Sequence, residues 1–527
     1  CELKAMGVVS LESHWAVNEV PSATLTLTPL AGVTEKQLDD DLQLCCPGQS
    51  VILRLQQGGA LFSGVVMKQL YRHGGEGSKL TLTLRHPLQR LLSSRGSAVF
   101  FDLSDEEVIR RLLRKYAIVL RQAKGLLSVC HPQLVQYECS DWQFMASRIK
   151  ASNVWLLPAM DGGVSIVPPA LAARAKHVLD HAATSSSVAG VHRPLIEDAT
   201  WSFDNRDLVK SLRVACWDIK TQQVESRVFK APELGSEALD ARQLKVLVEA
   251  NLAWSAPFDL LPDEARALAE ARLQAGQAEA VRGSFILAGS TDYQPGDTLE
   301  IKGFGKALNG RCLISGVKHN MTPGEWRTTI TVGLDRRDAM DAPLLPQAPG
   351  LQVGVVDAYE KDPQGLSRLR VKLPLLGEQA LWARFATPYA SEGSGLCLYP
   401  EPGDEVVLGF FAGDPRYPVI LGAMHNPKRP PPIDPLQGAE KKGLIVNRKD
   451  DTYQMTLDCK ANSMILQNGQ SNYIAMSKDQ GMTLQNGKDS YLTLDQKANV
   501  TLYSAKVATI EGKKEVNVKS NKVDLGS

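Results

Sequence analysis

The chain has 527 residues, too many for one core, and its 43% apolar and 22% charged content is that of a folded soluble protein, so three or four domains are expected. A formal net charge of +1, with no strongly basic stretch, gives no electrostatic footprint for nucleic acid. No apolar run reaches the length of a membrane helix, and the opening CELKAMGVVS lacks a signal peptide's positive start and apolar centre, which leaves a lipidated Cys1 as the alternative reading of that end.

In chain order, PGQSVILR at 47–54 reads as a Pro-Gly turn and an alternating strand, followed by FSGVV at 62–66 and LTLTLR at 80–85. The same order returns downstream as PGDTLEIK at 295–302, ISGVK at 314–318 and TTITVGLDR at 328–336. Each set reads as a small antiparallel β-unit, and the expectation is a duplication; coincidence among generic hairpins is the alternative. Between the copies, SDEE at 104–107 and SDWQ at 140–143 are capping boxes that open helices. The stretch VWLLPAMDGGVSIVPP is a hairpin turning at Asp161–Gly163, and PDEARALAEARLQAG at 262–276 is an Ala-rich helix.

Residues 351–426 hold five short strands: LQVGVVDAYE, SRLRVKLPLL, ALWARFATP, DEVVLGFFAG and YPVILGAM. With short turns such as KDPQG and GDPRY between them, they predict a small closed barrel of the OB kind. Its aromatics Trp382, Phe385, Tyr389, Tyr399, Phe410 and Phe411 have few basic neighbours, which favours core and interface roles over a ligand face. PKRPPPIDPLQGAEKK at 427–442 has five prolines and reads as a stiff connector.

From Met455 the chain divides into eight nine-residue units, among them MILQNGQSN and MTLQNGKDS, with Met455, Met464, Tyr473, Met482, Tyr491 and Val500 first and Leu457, Leu466, Leu484 and Leu502 third. Alternating apolar positions predict strands, and Asn468-Gly469 and Asn486-Gly487 supply turns. In the last units the pairs Val507/Thr509, Val516/Val518 and Val523/Leu525 take over. Three architectures fit: a calcium-binding solenoid, a single-chain coil, or an intertwined trimer in which three chains form a prism. The units lack the glycine and aspartate density of calcium loops, and one apolar face per nine residues is too little core for a lone chain, so the trimer is favoured.

Candidate chemistry is sparse. His177 and His181 in HVLDH have helical i,i+4 spacing like an inverted zinc-protease motif, but Asp180 replaces the expected Glu, and a surface or packed helix is the preferred reading. GGEGSK at 74–79 and GFGK at 303–306 lack phosphate-loop spacing and read as turns. Cys130, His131 and Cys139 lack zinc spacing, and the nine scattered cysteines fit buried thiols in a reducing compartment. No nucleophile–base–acid set can be assembled, so the expectation is no enzyme, no metal and no cofactor.

The order of parts resembles the VgrG-like spike proteins of contractile injection systems, which fuse a phage-type hub to a phage-type needle. The stretches that carry the resemblance are QYECSDWQFMASRIKASNVWLLPAMDGGVSIVPP, PGDTLEIKGF with NGRCLISGVKHNMTPGEWRTTITV, and VVLGFFAGDPRYPVILGAMHNP. WAVNEVPSATLTL is closer to spikes of extracellular, phage-tail-like particles than to most type VI secretion spikes. The resemblance implies a mainly β homotrimer: tandem hub β-barrels with helical insertions, an OB-like neck and a C-terminal intertwined triple-stranded β-prism.

The corresponding domains are 1–95 and 196–345 for the hub barrels, 96–195 for the insertion, 346–426 for the neck, 427–454 for the linker and 455–527 for the prism. Two similar hub units per chain would make six around the axis, matching a six-fold partner. The partners implied are an inner-tube (Hcp-like) protein above, baseplate proteins, a PAAR-repeat protein at the tip and effector cargo, with no nucleic acid. The protein would fold in the producing bacterium's cytoplasm and be carried by the particle to a target envelope. The ladder's ten first- and third-position residues named above are the expected trimer core, and Val523, Asp524 and Leu525 the expected contact for the tip protein. The ladder running to Ser527 is expected to leave nothing after it. A trimeric carbohydrate-binding tail adhesin is the alternative function.

Overall fold

The computed structural model describes residues 3–56, 59–75, 77–171, 174–181, 196–206, 208–231, 239, 252–334, 345–377, 379–449 and 451–526. They fall into two compact units, Cys1–Ala423 and Met424–Ser527.

The first unit is organised by an eleven-stranded sheet. Its first half consists of β1 (Met6–Ala16), β2 (Ser22–Pro29), β3 (Ser50–Arg54), β4 (Ala60–Gly74) and β5 (Gly77–Arg85). Farther along the chain come β6 (His177–Asp180), β7 (Ile196–Phe203), β8 (Val281–Ala288), β9 (Thr298–Lys302), β10 (Gly310–Thr322) and β11 (Glu325–Val332). The order is β7-β8-β11-β10-β1-β2-β5-β4-β3, with β9 between β10 and β6. In each half a Pro-Gly turn leads into the same antiparallel run: β3-β4-β5-β2-β1 in one, β9-β10-β11-β8-β7 in the other.

The register makes the duplication explicit. Ser50 faces Val65, and 248 positions on Thr298 faces Leu313; Leu84 faces Val66 as Val332 faces Ile314. Both copies carry a bulge at the same place, Val66/Lys68 and Ile314/Gly316. Gly48 and Gly296 both turn with φ above +90° and donate their amides to Val66 and Ile314. Both φ values lie where L side chains are strained.

This register corrects one sequence alignment: FSGVV and ISGVK lie four positions apart in the structural frame. The Ser-Gly-Val match is local coincidence inside a true duplication. Gly316 instead marks where β10 leaves β9 and takes β1 as its partner. A Cβ there would meet Thr331 Oγ1 at 2.5 Å, so only glycine admits that close approach. The last two residues of TTITVGLDR lie outside the described residues.

Both capping boxes form. Ser104 caps α1 (Asp105–Lys115) with Glu107, and Ser140 caps α2 (Asp141–Ala151) with Gln143. The Ala-rich helix α3 runs from Pro262 to Ala280, beyond its expected end. The five barrel strands β12 (Gln352–Val356), β13 (Leu369–Lys372), β14 (Ala380–Phe385), β15 (Glu405–Phe410) and β16 (Pro418–Met424) close in the order β12-β13-β14-β16-β15. Val371, Leu381, Val406, Leu408 and Ile420 fill the barrel, and Val99, Val135 and Tyr137 of the neighbouring hub strands pack into the same core.

HVLDH is not helical. His177–Asp180 is strand β6, paired in parallel with β9, so the two histidines are not one helical turn apart. His177 bonds Asp297 at 3.0 Å and His181 stacks on Phe304, and no group of potential metal ligands is found among the described residues. Of GGEGSK, Gly74 ends β4, Gly77 to Lys79 open β5 and Glu76 lies outside the described residues, while GFGK lies between β9 and β10. Cys45, Cys139, Cys216 and Cys312 are buried as expected, whereas Cys130, Cys397 and Cys459 are exposed.

The second unit is a seven-stranded antiparallel meander: β17 (Lys441–Arg448), β18 (Asp451–Asp458), β19 (Ser463–Asn468), β20 (Asn472–Ser477), β21 (Gly481–Asn486), β22 (Ser490–Leu494) and β23 (Val500–Ser504). Strand structure therefore begins at Lys441, inside the stretch assigned to the linker. Each strand pairs with the next strand of the same chain. Over 441–504 this replaces the expected pattern, in which neighbouring strands belong to different chains.

Candidate functional site

The meander has two unlike faces. Across one, the register aligns Met455, Leu466, Ile474, Leu484, Leu492 and Leu502 in a row, and Leu457, Met464, Met476, Met482, Leu494 and Val500 in a second row beside it. Leu444 extends the first row. These side chains are exposed or half-exposed, Leu466 by 55% and Leu502 by 61%, and Leu444, Met455, Leu466, Ile474 and Leu484 of the first row line a trough of about 570 Å³ together with Gln454, Gln467, Tyr473 and Gln485. A continuous apolar face of this extent on an isolated chain marks an interaction surface.

The other face carries Gln454, Gln467, Tyr473, Gln485, Tyr491 and Tyr503 in one cross-strand row. Its polar groups are satisfied locally: Tyr473 donates to Gln485 at 2.7 Å, Gln467 and Gln485 donate to the carbonyls of Gly469 and Gly487, and Tyr491 stacks on Tyr503. Tyr473 and Tyr491 thus lie opposite the other eight expected core residues. The reason is parity. From β19 onward every hairpin pairs residues of equal parity, so a shift of nine changes face while a shift of eighteen restores it; the β18–β19 hairpin pairs odd with even positions, and Met455 and Met464 therefore share the apolar face. The structural repeat is the eighteen-residue hairpin, and Ile474, Met476, Leu492 and Leu494 join the apolar face. Their signal was present in the sequence but hidden by the nine-residue cut.

A second feature is internal to the first unit. Asp105 at the start of α1, Arg148 on α2, Glu264 on α3 and Arg416 in the GDPRY turn of the barrel form a buried chain of charges. Asp105 accepts from Arg148 Nε at 2.7 Å and Nη2 at 3.1 Å, and His131 Nε2 lies 3.1 Å from the same carboxylate. Glu264 lies 3.7 Å from Arg148 and accepts from Arg416 at 2.7 Å, while Asp414 binds Arg416 from the other side. Burial pushes the Asp105 carboxyl up, but the charge of Arg148 and bonds from His131 and Arg148 outweigh it and hold it well below the usual carboxylate range. Burial opposes Glu264 in the same way, and Arg416 and Arg148 again overcome it.

The chain of charges ties three helices to the barrel, a role for GDPRY that its reading as a turn missed. Gln133 adds a neutral tie, donating to the Arg416 carbonyl and accepting from the Trp382 amide. The barrel aromatics are largely engaged: Trp382 lies under Arg368, Phe410 against Tyr137 and Phe411 under Arg384. Val523, Asp524 and Leu525 are exposed, and Asp524 pairs with Lys522.

Residues 3–323 match the family described as the Alg8 N-terminal domain, and residues 352–425 match the type VI secretion system/phage-baseplate injector OB domain. No curated protein matches the chain. Among solved structures, the Escherichia coli c3393 protein, described as a type VI secretion component similar to the T4 tail proteins gp27 and gp5, aligns with a TM-score of 0.51 at 14% identity, over 80% of this chain and 97% of its own. The lidded Francisella PdpA-VgrG complex aligns with a TM-score of 0.56 at 10% identity, over 90% of this chain and 76% of its own. The fold is that of a VgrG-like hub with an OB domain. With the first match spanning more than half its length, the chain belongs to the Alg8 N-terminal domain family.

Proposed function

We propose that this protein is the central hub and spike of a contractile injection system and acts as a homotrimer. The observation that carries the reading is the open apolar face of the meander. Three copies facing a common axis would bury Met455, Leu457, Met464, Leu466, Met482, Leu484, Val500 and Leu502, with Ile474, Met476, Leu492 and Leu494 beside them, and leave the Gln/Tyr row outward. Burial of such a face contributes about 25 cal/mol per Å² of apolar surface removed from water, which favours association strongly.

The duplicated hub unit supports a junction role, since three chains would present six similar units to a six-fold inner-tube (Hcp-like) protein. Val523, Asp524 and Leu525 would meet a PAAR-repeat tip protein, and baseplate proteins and effector cargo complete the partners. The particle would assemble in the producing cell and carry the spike to a target envelope. Negative-stain microscopy of the full chain mixed with an inner-tube protein tests this: rings should seat on the hub end of a three-fold particle. Rings that never associate with it would overturn the junction role.

A further inference from the structure

Three arginine–aromatic stacks line one cleft of the first unit. Arg368 lies 5.7 Å over Trp382, Arg384 6.0 Å over Phe411 and Arg416 5.3 Å over Tyr417. Trp382 and Arg384 stand two apart on β14, so both point out of the barrel, while Leu381 and Ala383 point into its core. The facing wall comes from the strand Ser211–Asp218 and the segment before α3, which bring Trp217 and Phe258. Phe258 stacks on Tyr417 with centroids 4.2 Å apart, and Tyr417 donates to the Asp259 carbonyl at 2.6 Å. These walls enclose a cavity of about 190 Å³, and buried Gln133, Glu264 and Arg416 also line it.

The three guanidiniums differ in one respect. Arg368 is held by both oxygens of Asp362, at 2.9 and 2.7 Å, and Arg416 by Asp414 and Glu264. Arg384 is exposed and has no carboxylate partner among the described residues. One carboxylate is therefore missing from the row. Asp259 shows the opposite lack: among the described residues no cation pairs with it. Burial, and then the nearby carboxylates of Asp218 and Glu225, push its carboxyl up, and Lys220 offsets this only in part. The cleft therefore offers a donor for an anion, an acceptor for an N–H group, and aromatic rings. Pockets that enclose a whole small ligand measure about 300–1,000 Å³, so a cavity of this size suits one large side chain.

We infer that this cleft is a docking site for an acidic peptide of a partner polypeptide. The peptide places one aromatic or large aliphatic side chain among Trp217, Phe258 and Tyr417 and gives the neighbouring carboxylate to Arg384. Its backbone N–H groups meet Asp259. Charge selects this occupant over the others. A neutral apolar ligand leaves Arg384 and Asp259 without partners, and a basic peptide faces Arg368, Arg384 and Arg416 together. A bond between a guanidinium and a carboxylate is charge-assisted at both ends, so it fixes the peptide's position as well as holding it. Every residue of the cleft belongs to one chain and lies within Cys1–Ala423, so the inference goes beyond the hub-and-spike reading and does not rest on it.

Fluorescence anisotropy on the full-length protein tests it with a labelled peptide, Gly-Ser-Phe-Glu-Ser-Gly, and a twin carrying Gln in place of Glu. The acidic peptide should bind about tenfold or more tightly than its twin, the worth of one charge-assisted bond. Arg384→Gln should erase that preference, and Trp217→Ala should weaken both peptides. Arg72→Gln, on the exposed hairpin of β4, should change neither. Thermal melting checks that each variant is folded. Equal affinity for the two peptides, or no binding of either at millimolar protein, overturns the inference and leaves the hub-and-spike reading intact. A monomeric chain that still prefers the acidic peptide overturns the trimeric reading alone.

Discussion

Replacing Arg148 with Met tests the buried chain of charges. Arg148 is fully buried, and its guanidinium holds the equally buried Asp105 through two hydrogen bonds. Met conserves much of the aliphatic stem but leaves the carboxylate with only His131 and the Ser152 hydroxyl. Breaking one side of a buried ion pair costs about 3–5 kcal/mol, because the remaining charge stays desolvated. For a unit of 423 residues melting cooperatively, that is a fall of about 3–6 °C.

The same reasoning fixes a pH signature. With Arg148 present, Asp105 is held below the usual carboxylate range, so its stabilisation is present above pH 4 and is lost only as pH falls through its depressed folded value. Without Arg148, burial dominates and raises the carboxyl, so the variant's deficit should shrink as acid neutralises Asp105. The double variant Arg148→Met/Asp105→Asn should recover much of the loss at neutral pH. Differential scanning calorimetry across pH reads all three. A single variant that melts like the parent, or a double variant no better than the single one, would refute the charge-pairing argument.

Three further outcomes follow from the structure. Leu484→Asp would put three carboxylates on one level of the apolar face and should dissociate the trimer in analytical ultracentrifugation, whereas Lys488→Asp in the exposed turn should leave it unchanged. His86 and His319 are buried, and burial pushes each down to about 4. Both are neutral in the fold, so stability should be flat above pH 6.5 and fall as pH drops from 6.5 through 4, by roughly 3 kcal/mol each. A denaturation profile with no loss in that window would contradict their burial. Gly487→Ala should cost about 1–2 kcal/mol for its left-handed turn alone, and Gly481→Ala clearly more, because its Cβ would stand 2.0 Å from the Leu494 carbonyl. Equal melting of the two variants would argue against the turn geometry.

Local chemistry made much of this fold legible. The capping boxes at Ser104 and Ser140, the five barrel strands and the duplicated hub unit could all be read because each depends on a few neighbouring residues. Signals that depend on pairing were misread. The face of Tyr473 is set by its register with Gln467 and Gln485, and the true equivalence of the hub copies by a bulge, neither of which is a composition. HVLDH had helical spacing but is a strand, because β9 offers it an edge to pair with. The ion chain has no local signature, because Asp105, Arg148, Glu264 and Arg416 are far apart in sequence and meet only when the helices pack.

The central claim is that three copies bury the apolar face together. Multi-angle light scattering on the purified full-length chain, at micromolar concentration and physiological salt, measures it most directly. A mass of three times the chain's 57.4 kDa, held across a tenfold dilution, is the predicted result. A stable species of 57.4 kDa, with the Met455–Leu502 face still open to water, would contradict it.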